Sequence, residues 1–97
     1  MRIISKKVLR DFWTRHPDSA QPLRAWHAEV KAADFKNPSG IKAMYGNASI
    51  LKRGRVVFNI CGNKYRLIVH VKYDFHLVYI RFVGTHVEYD NVDAETI

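Results

Sequence analysis

A chain of 97 residues has room for one small domain, and at 47% hydrophobic and 12% aromatic its composition is that of a folded chain. The net charge of +7 suits a polyanionic partner such as nucleic acid better than a basic or neutral one. The single cysteine, Cys61, rules out an internal disulfide, and no apolar run approaches the ~20 residues that cross a membrane.

The charge is unevenly distributed. Residues 1–48 hold nine basic and four acidic side chains, residues 49–82 seven and one, and residues 83–97 none and four. The middle block is therefore the densest positive surface, and the acidic end reads as a solvated counterweight. Arg2 and Lys6 are not followed by the apolar stretch of a secretory signal. With the lone cysteine, read as a packing residue, this gives a cytoplasmic expectation with no membrane partner.

In chain order, "MRII" reads as a short strand. "SKKVLRDFWTRHP" spaces Val8, Leu9, Phe12 and Trp13 as one helical face, with Ser5 as N-cap and Pro17 as the stop. "DSAQPLRAWHAEVKAADF" predicts a second helix capped by Ser19, with Pro22 in its first turn and Leu23, Trp26, Val30 and Ala33 as its stripe. The two helices form an antiparallel pair through Pro17-Asp18-Ser19. "KNPSGIKAMYGNAS" reads as a loop, broken at Asn37-Pro38, Ser39-Gly40 and Gly46-Asn47.

Strands follow. "SILKRGRVVFNI" predicts a hairpin turning near Arg53-Gly54, and Gly62-Asn63 marks a second turn. "KYRLIVHVKYD" and "FHLVYIRFVG" are the last two strands, joined near Asp74. With no linker, repeat or low-complexity tract, residues 1–97 are expected to form one α+β domain, an antiparallel sheet with two N-terminal helices packed on one face.

Alternation assigns the faces. Val56, Phe58 and Ile60, then Tyr65, Leu67, Val69, Val71 and Tyr73, then Val78, Ile80 and Phe82, make the apolar face for the helices. Arg55, Val57 and Asn59, Lys64, Arg66, Ile68, His70 and Lys72, and Leu77, Tyr79, Arg81 and Val83 fall on the other. Basic and aromatic together, this open face suits RNA. Arg81 stands between apolar neighbours in a strand expected to be central, where a cation calls for a partner, and phosphate is one.

Past Gly84, "THVEYD" brings His86, Tyr89 and Asp90 within five residues. If 86–90 turn, His86 and Tyr89 come beside Arg66 and Arg81, while Asp90 reads as a cap for a short last helix. RNA cleavage needs a base for the 2′-hydroxyl proton, an acid for the 5′-oxygen, and cations for the charge that builds on phosphorus. Histidine titrates in the right range and arginine matches phosphate geometry. Metal-ligand motifs such as HExxH or CxxC are absent from the sequence, as are phosphate-cradling glycine loops.

The segment "ASILKRGRVVFNICGNKYRLIVHVKYDFHLVYIRFVGTHVEYDNVD" resembles HigB-type toxins of the RelE superfamily, chiefly through "FNI", "GNKYRL" and "YIRFVGTHVEYD". "MRIISKKVLRDFWTRHPDSAQPLRAW" looks like the opening helices of that family, so the resemblance covers nearly the whole chain. It implies the toxin of a type II toxin–antitoxin pair, a metal-independent, cofactor-free endoribonuclease (mRNA interferase) that cuts mRNA on the ribosome and inhibits translation. It also implies a HigA-like helix-turn-helix antitoxin, with operator DNA bound only through the complex of the two. By the same resemblance Arg66 and Arg81 hold the scissile phosphate, His86 transfers protons, and Tyr89 is a second acid or a stacking group. Lys52, Arg53, Arg55, Asn59, Lys64 and Lys72 are the expected RNA-binding residues. Lys52, Lys64 and Lys72 are scattered where RelE itself clusters its lysines, and this leaves the general base open. The basic face alone suits two other readings as well: a non-catalytic RNA- or ribosome-binding module, and an operon co-repressor acting with its antitoxin.

Overall fold

Pro17 lacks the N–H needed to extend the first helix. In the computed structural model, which describes residues 1–97, α1 (Lys6–Arg15) stops just before it. Strand β1 (Arg2–Ile4) precedes α1, a 3₁₀ turn follows at Pro17–Ser19, and α2 (Ala20–Ala32) completes the pair. Ser5 is the N-cap of α1, but its side chain makes no capping bond. Ser19 does not cap α2 through its side chain either. Its hydroxyl donates back to the His16 carbonyl at 2.7 Å and is wholly buried, so it ties the interhelical turn together.

The expected helical stripes are the buried ones. Leu9 and Phe12 of α1, and Leu23, Trp26 and Val30 of α2, are buried, with Trp13 and Ala33 packed at the margin. Val8 remains exposed. Trp26 meets Phe58 edge-on at 5.4 Å, as a core anchor should. Trp13 carries the Arg24 guanidinium over its ring at 4.9 Å.

Residues 38–44 correct the loop expected there: they form α3 (Pro38–Met44). Asn37 is its N-cap and accepts a bond from the Gly40 N–H at 3.2 Å, while Pro38 occupies the first turn. Asn-Pro is a helix-start signal as well as a break. The decision lies with Ile41, buried at 1% exposure, which gives this short helix something to pack.

Five strands make the sheet, in the order β1-β5-β4-β3-β2, with β2 (Ser49–Ile50), β3 (Arg55–Ile60), β4 (Tyr65–Lys72) and β5 (Leu77–Thr85). All neighbours are antiparallel except β1, which joins β5 in parallel as an edge. The β2–β3 turn places Arg53 and Gly54 at φ 60° and 73°, the pair of positive values that matches strand twist. A Cβ on Gly54 would stand 2.8 Å from the Val71 carbonyl oxygen, so no other residue fits. The β3–β4 turn comes one residue earlier than expected, with Cys61 and Gly62 at φ 56° and 67°. Cys61 itself is partly buried against the core.

One irregularity changes the face assignment. Ile68 pairs with Phe82 and Val69 with Ile80, so Arg81 is an extra residue in a β-bulge. Beyond it the alternation flips. Phe82 joins Val57 and Ile68 on the open face, and Val83 packs on the core with the helices, the reverse of the expected placement. Tyr73, expected in β4, begins a 3₁₀ turn (Tyr73–Phe75) that leads into β5. A last short helix, α4 (His86–Asp90), follows β5 directly. No helix is long and apolar enough to cross a membrane.

Candidate active site on the open sheet face

The open face is organised in three cross-strand rows. Asn59, Arg66 and Gly84 pair across β3, β4 and β5. Val57, Ile68 and Phe82 form the next row, and Arg55, His70 and Tyr79 the third. Arg81 projects from the bulge between the second and third rows. Two polar rows thus flank an apolar one in which Val57 and Ile68 are buried outside the main core cluster.

The turn from β5 into α4 positions the first row's chemistry. Thr85 is the N-cap in a reciprocal capping box: its N–H donates to Glu88 Oε1 at 2.8 Å, and its hydroxyl accepts from the Glu88 N–H at 3.3 Å. This bond to the Thr85 amide, more than any other contact, lowers the Glu88 carboxyl from its ordinary value. A Cβ on Gly84 would fall 2.5 Å from the Phe82 ring and 3.1 Å from Glu88 Oε1, so glycine lets ring and cap close over the same spot. The spacing T-x-x-E in "THVE" is the sequence signal of this box.

The cap turns the chain at once, so His86 opens α4 and Tyr89 follows one turn later. Asp90, at the far end of α4, does not cap it. Its Oδ2 lies 3.6 Å from His86 Nδ1. The His86 and Tyr89 rings meet edge to face at 6.4 Å, and the Arg66 guanidinium lies over Tyr89 at 5.9 Å. Arg66 is anchored through Nη1 to the carbonyls of Asn63 (2.9 Å) and Tyr65 (3.3 Å), and its remaining donors meet no protein acceptor. An aspartate-backed histidine, a phenol and a half-free guanidinium therefore share one corner of the open face.

Arg81 belongs to the neighbouring group. Its guanidinium lies over Tyr79 at 5.1 Å, and Tyr79 and His70 are 6.3 Å apart. Arg55 donates through Nε and Nη2 to the Ile97 carbonyl at 3.1 and 2.8 Å. Burial first, then Arg81 and Arg53, lowers Arg55 from its ordinary value. Burial first, then Arg55, Lys72 and Arg81, lowers His70 from its ordinary value and so favours the neutral imidazole. None of the four ion pairs in the chain includes Arg53, Arg55, Arg66 or Arg81.

The other expected RNA contacts divide. Lys52, Arg53 and Lys72 are exposed around the same face, and Asn59 bonds to Asn63 at 3.3 Å. Lys64 is drawn away: it pairs with Asp18 in the interhelical turn, where the buried Tyr65 hydroxyl also donates to Asp18 at 2.7 Å. The Lys64 bond, then the Tyr65 bond, lowers the Asp18 carboxyl from 3.8. A carboxyl depressed by folding stabilises the fold above its unfolded value and loses that contribution as pH falls through the folded one. Asp18→Asn is accordingly expected to melt below the parent at pH 7, with the gap closing below about pH 4, as thermal unfolding across pH will test. No group of three or more His, Cys, Asp or Glu side chains is placed to hold a metal ion.

A helix-backed sheet whose open face carries arginines and a histidine–tyrosine corner is consistent with a RelE-like fold. The chain belongs to the HigB toxin family: residues 19–92 match the family described as "HigB_toxin, RelE-like toxic component of a toxin-antitoxin system". It is 33% identical to the mRNA interferase toxin HigB of Escherichia coli (strain K12) over 92 residues, 93% of this chain and 88% of that one. The same figures hold for the mRNA interferase HigB of Shigella flexneri. The mRNA interferase HigB of Escherichia coli O6:H1 is 26% identical over 94 residues, 95% and 91% of the two chains. The protein is thus the toxic component of a toxin–antitoxin system, and its partner is an antitoxin.

Proposed function

We propose that this toxin is an mRNA interferase, a metal-independent endoribonuclease that cuts mRNA on the translating ribosome in the cytoplasm. The observation that carries the reading is the convergence of His86, Tyr89 and Arg66 at the edge of a basic face whose arginines pair with no aspartate or glutamate.

The 2′-hydroxyl attacks the adjacent phosphorus, the bond to the 5′-oxygen breaks, and a cyclic phosphate and a free 5′-hydroxyl result. His86 Nε2 takes the 2′ proton, and Asp90 at Nδ1 stabilises the imidazolium that forms. Tyr89 delivers its phenolic proton to the departing oxygen. Arg66, and Arg81 reaching from the bulge, offset the charge on phosphorus. Lys52, Arg53 and Lys72 hold the backbone on either side, and Lys64, engaged by Asp18, contributes least. The antitoxin is HigA-like with a helix-turn-helix domain, and operator DNA is bound only by the complex of the two.

Primer extension on mRNA in a reconstituted translation reaction, with and without ribosomes, tests this. Cuts that require ribosomes are the expected result. Stalled translation with intact mRNA would replace the nuclease by a binding module, and cuts in free RNA would remove the ribosome from the mechanism.

A further inference from the structure

The third row of the open face has no task in the chemistry above, yet it is built like a ligand site. Arg55, His70 and Tyr79 stand directly opposite one another on β3, β4 and β5. The row lies four residues along β4 from Arg66, about 13 Å at the ~3.3 Å rise of a strand. That places it beside the cleavage corner, beyond the reach of the same phosphate.

Three features mark it. The cations around it, Arg53, Arg55 and Arg81, pair with no aspartate or glutamate. The rings of Tyr79 and His70 lie 6.3 Å apart, tilted by 44°, with the Arg81 guanidinium over Tyr79. Both prongs of the Arg55 fork already close on one oxygen, the Ile97 carbonyl, which sits where a phosphate or base oxygen would be held.

We propose that Arg55, His70 and Tyr79 form a second nucleotide subsite, which takes a nucleotide neighbouring the scissile phosphate and is filled by Ile97 in the free protein. The base stacks on the Tyr79 ring beside His70, in the place the Arg81 guanidinium holds in the free protein, and an oxygen of the nucleotide displaces the Ile97 carbonyl from Arg55. Stacking on aromatic side chains is tolerant of base identity, so the subsite adds affinity and register more than sequence choice. It rests on the reading of this face as an RNA-cleaving surface.

The test uses the full chain and a short RNA made uncleavable by 2′-deoxy sugars, with 2-aminopurine placed at each position in turn. Quenching at a position next to the scissile step is expected. Tyr79→Leu, which keeps bulk but no ring plane, should weaken binding by on the order of 10- to 100-fold and abolish that quenching, while Tyr79→Phe should retain both. Arg55→Gln should also weaken binding, and removal of residues 93–97 should tighten it. Were Tyr79→Leu misfolded, the quenching map of the parent protein and the Arg55→Gln titration would still decide. Absence of quenching at every position, or unchanged binding in the folded Tyr79→Leu and Arg55→Gln variants, would overturn the subsite. Cleavage of mRNA by the parent protein is scored separately. Quenching without cleavage would retain the subsite and remove the nuclease.

Discussion

His86→Ala is expected to lower ribosome-dependent mRNA cleavage by about 10²–10⁴-fold, the range for loss of one positioned proton-transfer group. The protein should remain folded. His86 is exposed at the start of a five-residue helix, and the bonds that fix that helix belong to Thr85 and Glu88. Removing the imidazole therefore takes away chemistry without opening a cavity. Asp90→Asn should cost less than His86→Ala, because it weakens support for the imidazolium but leaves the base in place. If Asp90→Asn and His86→Ala were equally inactive with normal melting temperatures, the two would act as one unit. If His86→Ala cut mRNA at the parent rate, the proton-transfer role would pass to another residue, Tyr89 first among them. Initial rates by primer extension, alongside thermal unfolding by circular dichroism, separate these outcomes.

Much of this arrangement was legible in the sequence, and the reasons differ by residue. The helix stripes and the parity of β3 and β4 were readable because burial on one face imposes a 3.6- or 2-residue period. The faces of Phe82 and Val83 were not, because a bulge adds a residue without altering composition. Yet Arg81, a cation out of place in an apolar strand, is the bulged residue itself. The α3 helix was missed because Asn37-Pro38 is chemically ambiguous and the deciding contact, burial of Ile41, is tertiary.

At the site, His86 and Tyr89 were readable because their partners lie within a few residues or on the next strand. Alternation places Lys64 on the basic face, and the resemblance makes it an expected RNA contact. Asp18, with which it pairs in the folded chain, is 46 residues away, and no local pattern encodes that pairing. The third row was visible only as a list of residues on a face. Strand register turned it into a line of neighbours.

The largest expected loss of stability comes from Phe12→Ala. Phe12 is almost fully buried, stacks on His16 at 4.4 Å and meets Tyr65 edge-on at 5.1 Å. Truncating a buried phenylalanine costs about 3–5 kcal/mol through lost transfer energy and the cavity left behind. Small domains hold only about 5–15 kcal/mol in total, so the melting temperature should fall by more than about 10 °C. Phe12→Leu should lose less, since most of the volume is retained. The consequence extends to the sheet, because Tyr65 faces Phe12 on one side and holds Asp18 through its hydroxyl on the other. Arg66, the next residue, is anchored partly on the Tyr65 carbonyl. A loosened Tyr65 therefore also loosens the guanidinium beside Tyr89. Phe12→Ala is expected to reduce cleavage together with stability, where His86→Ala reduces cleavage alone. A folded, fully active Phe12→Ala protein would mean that β4 holds Arg66 without help from the helix layer.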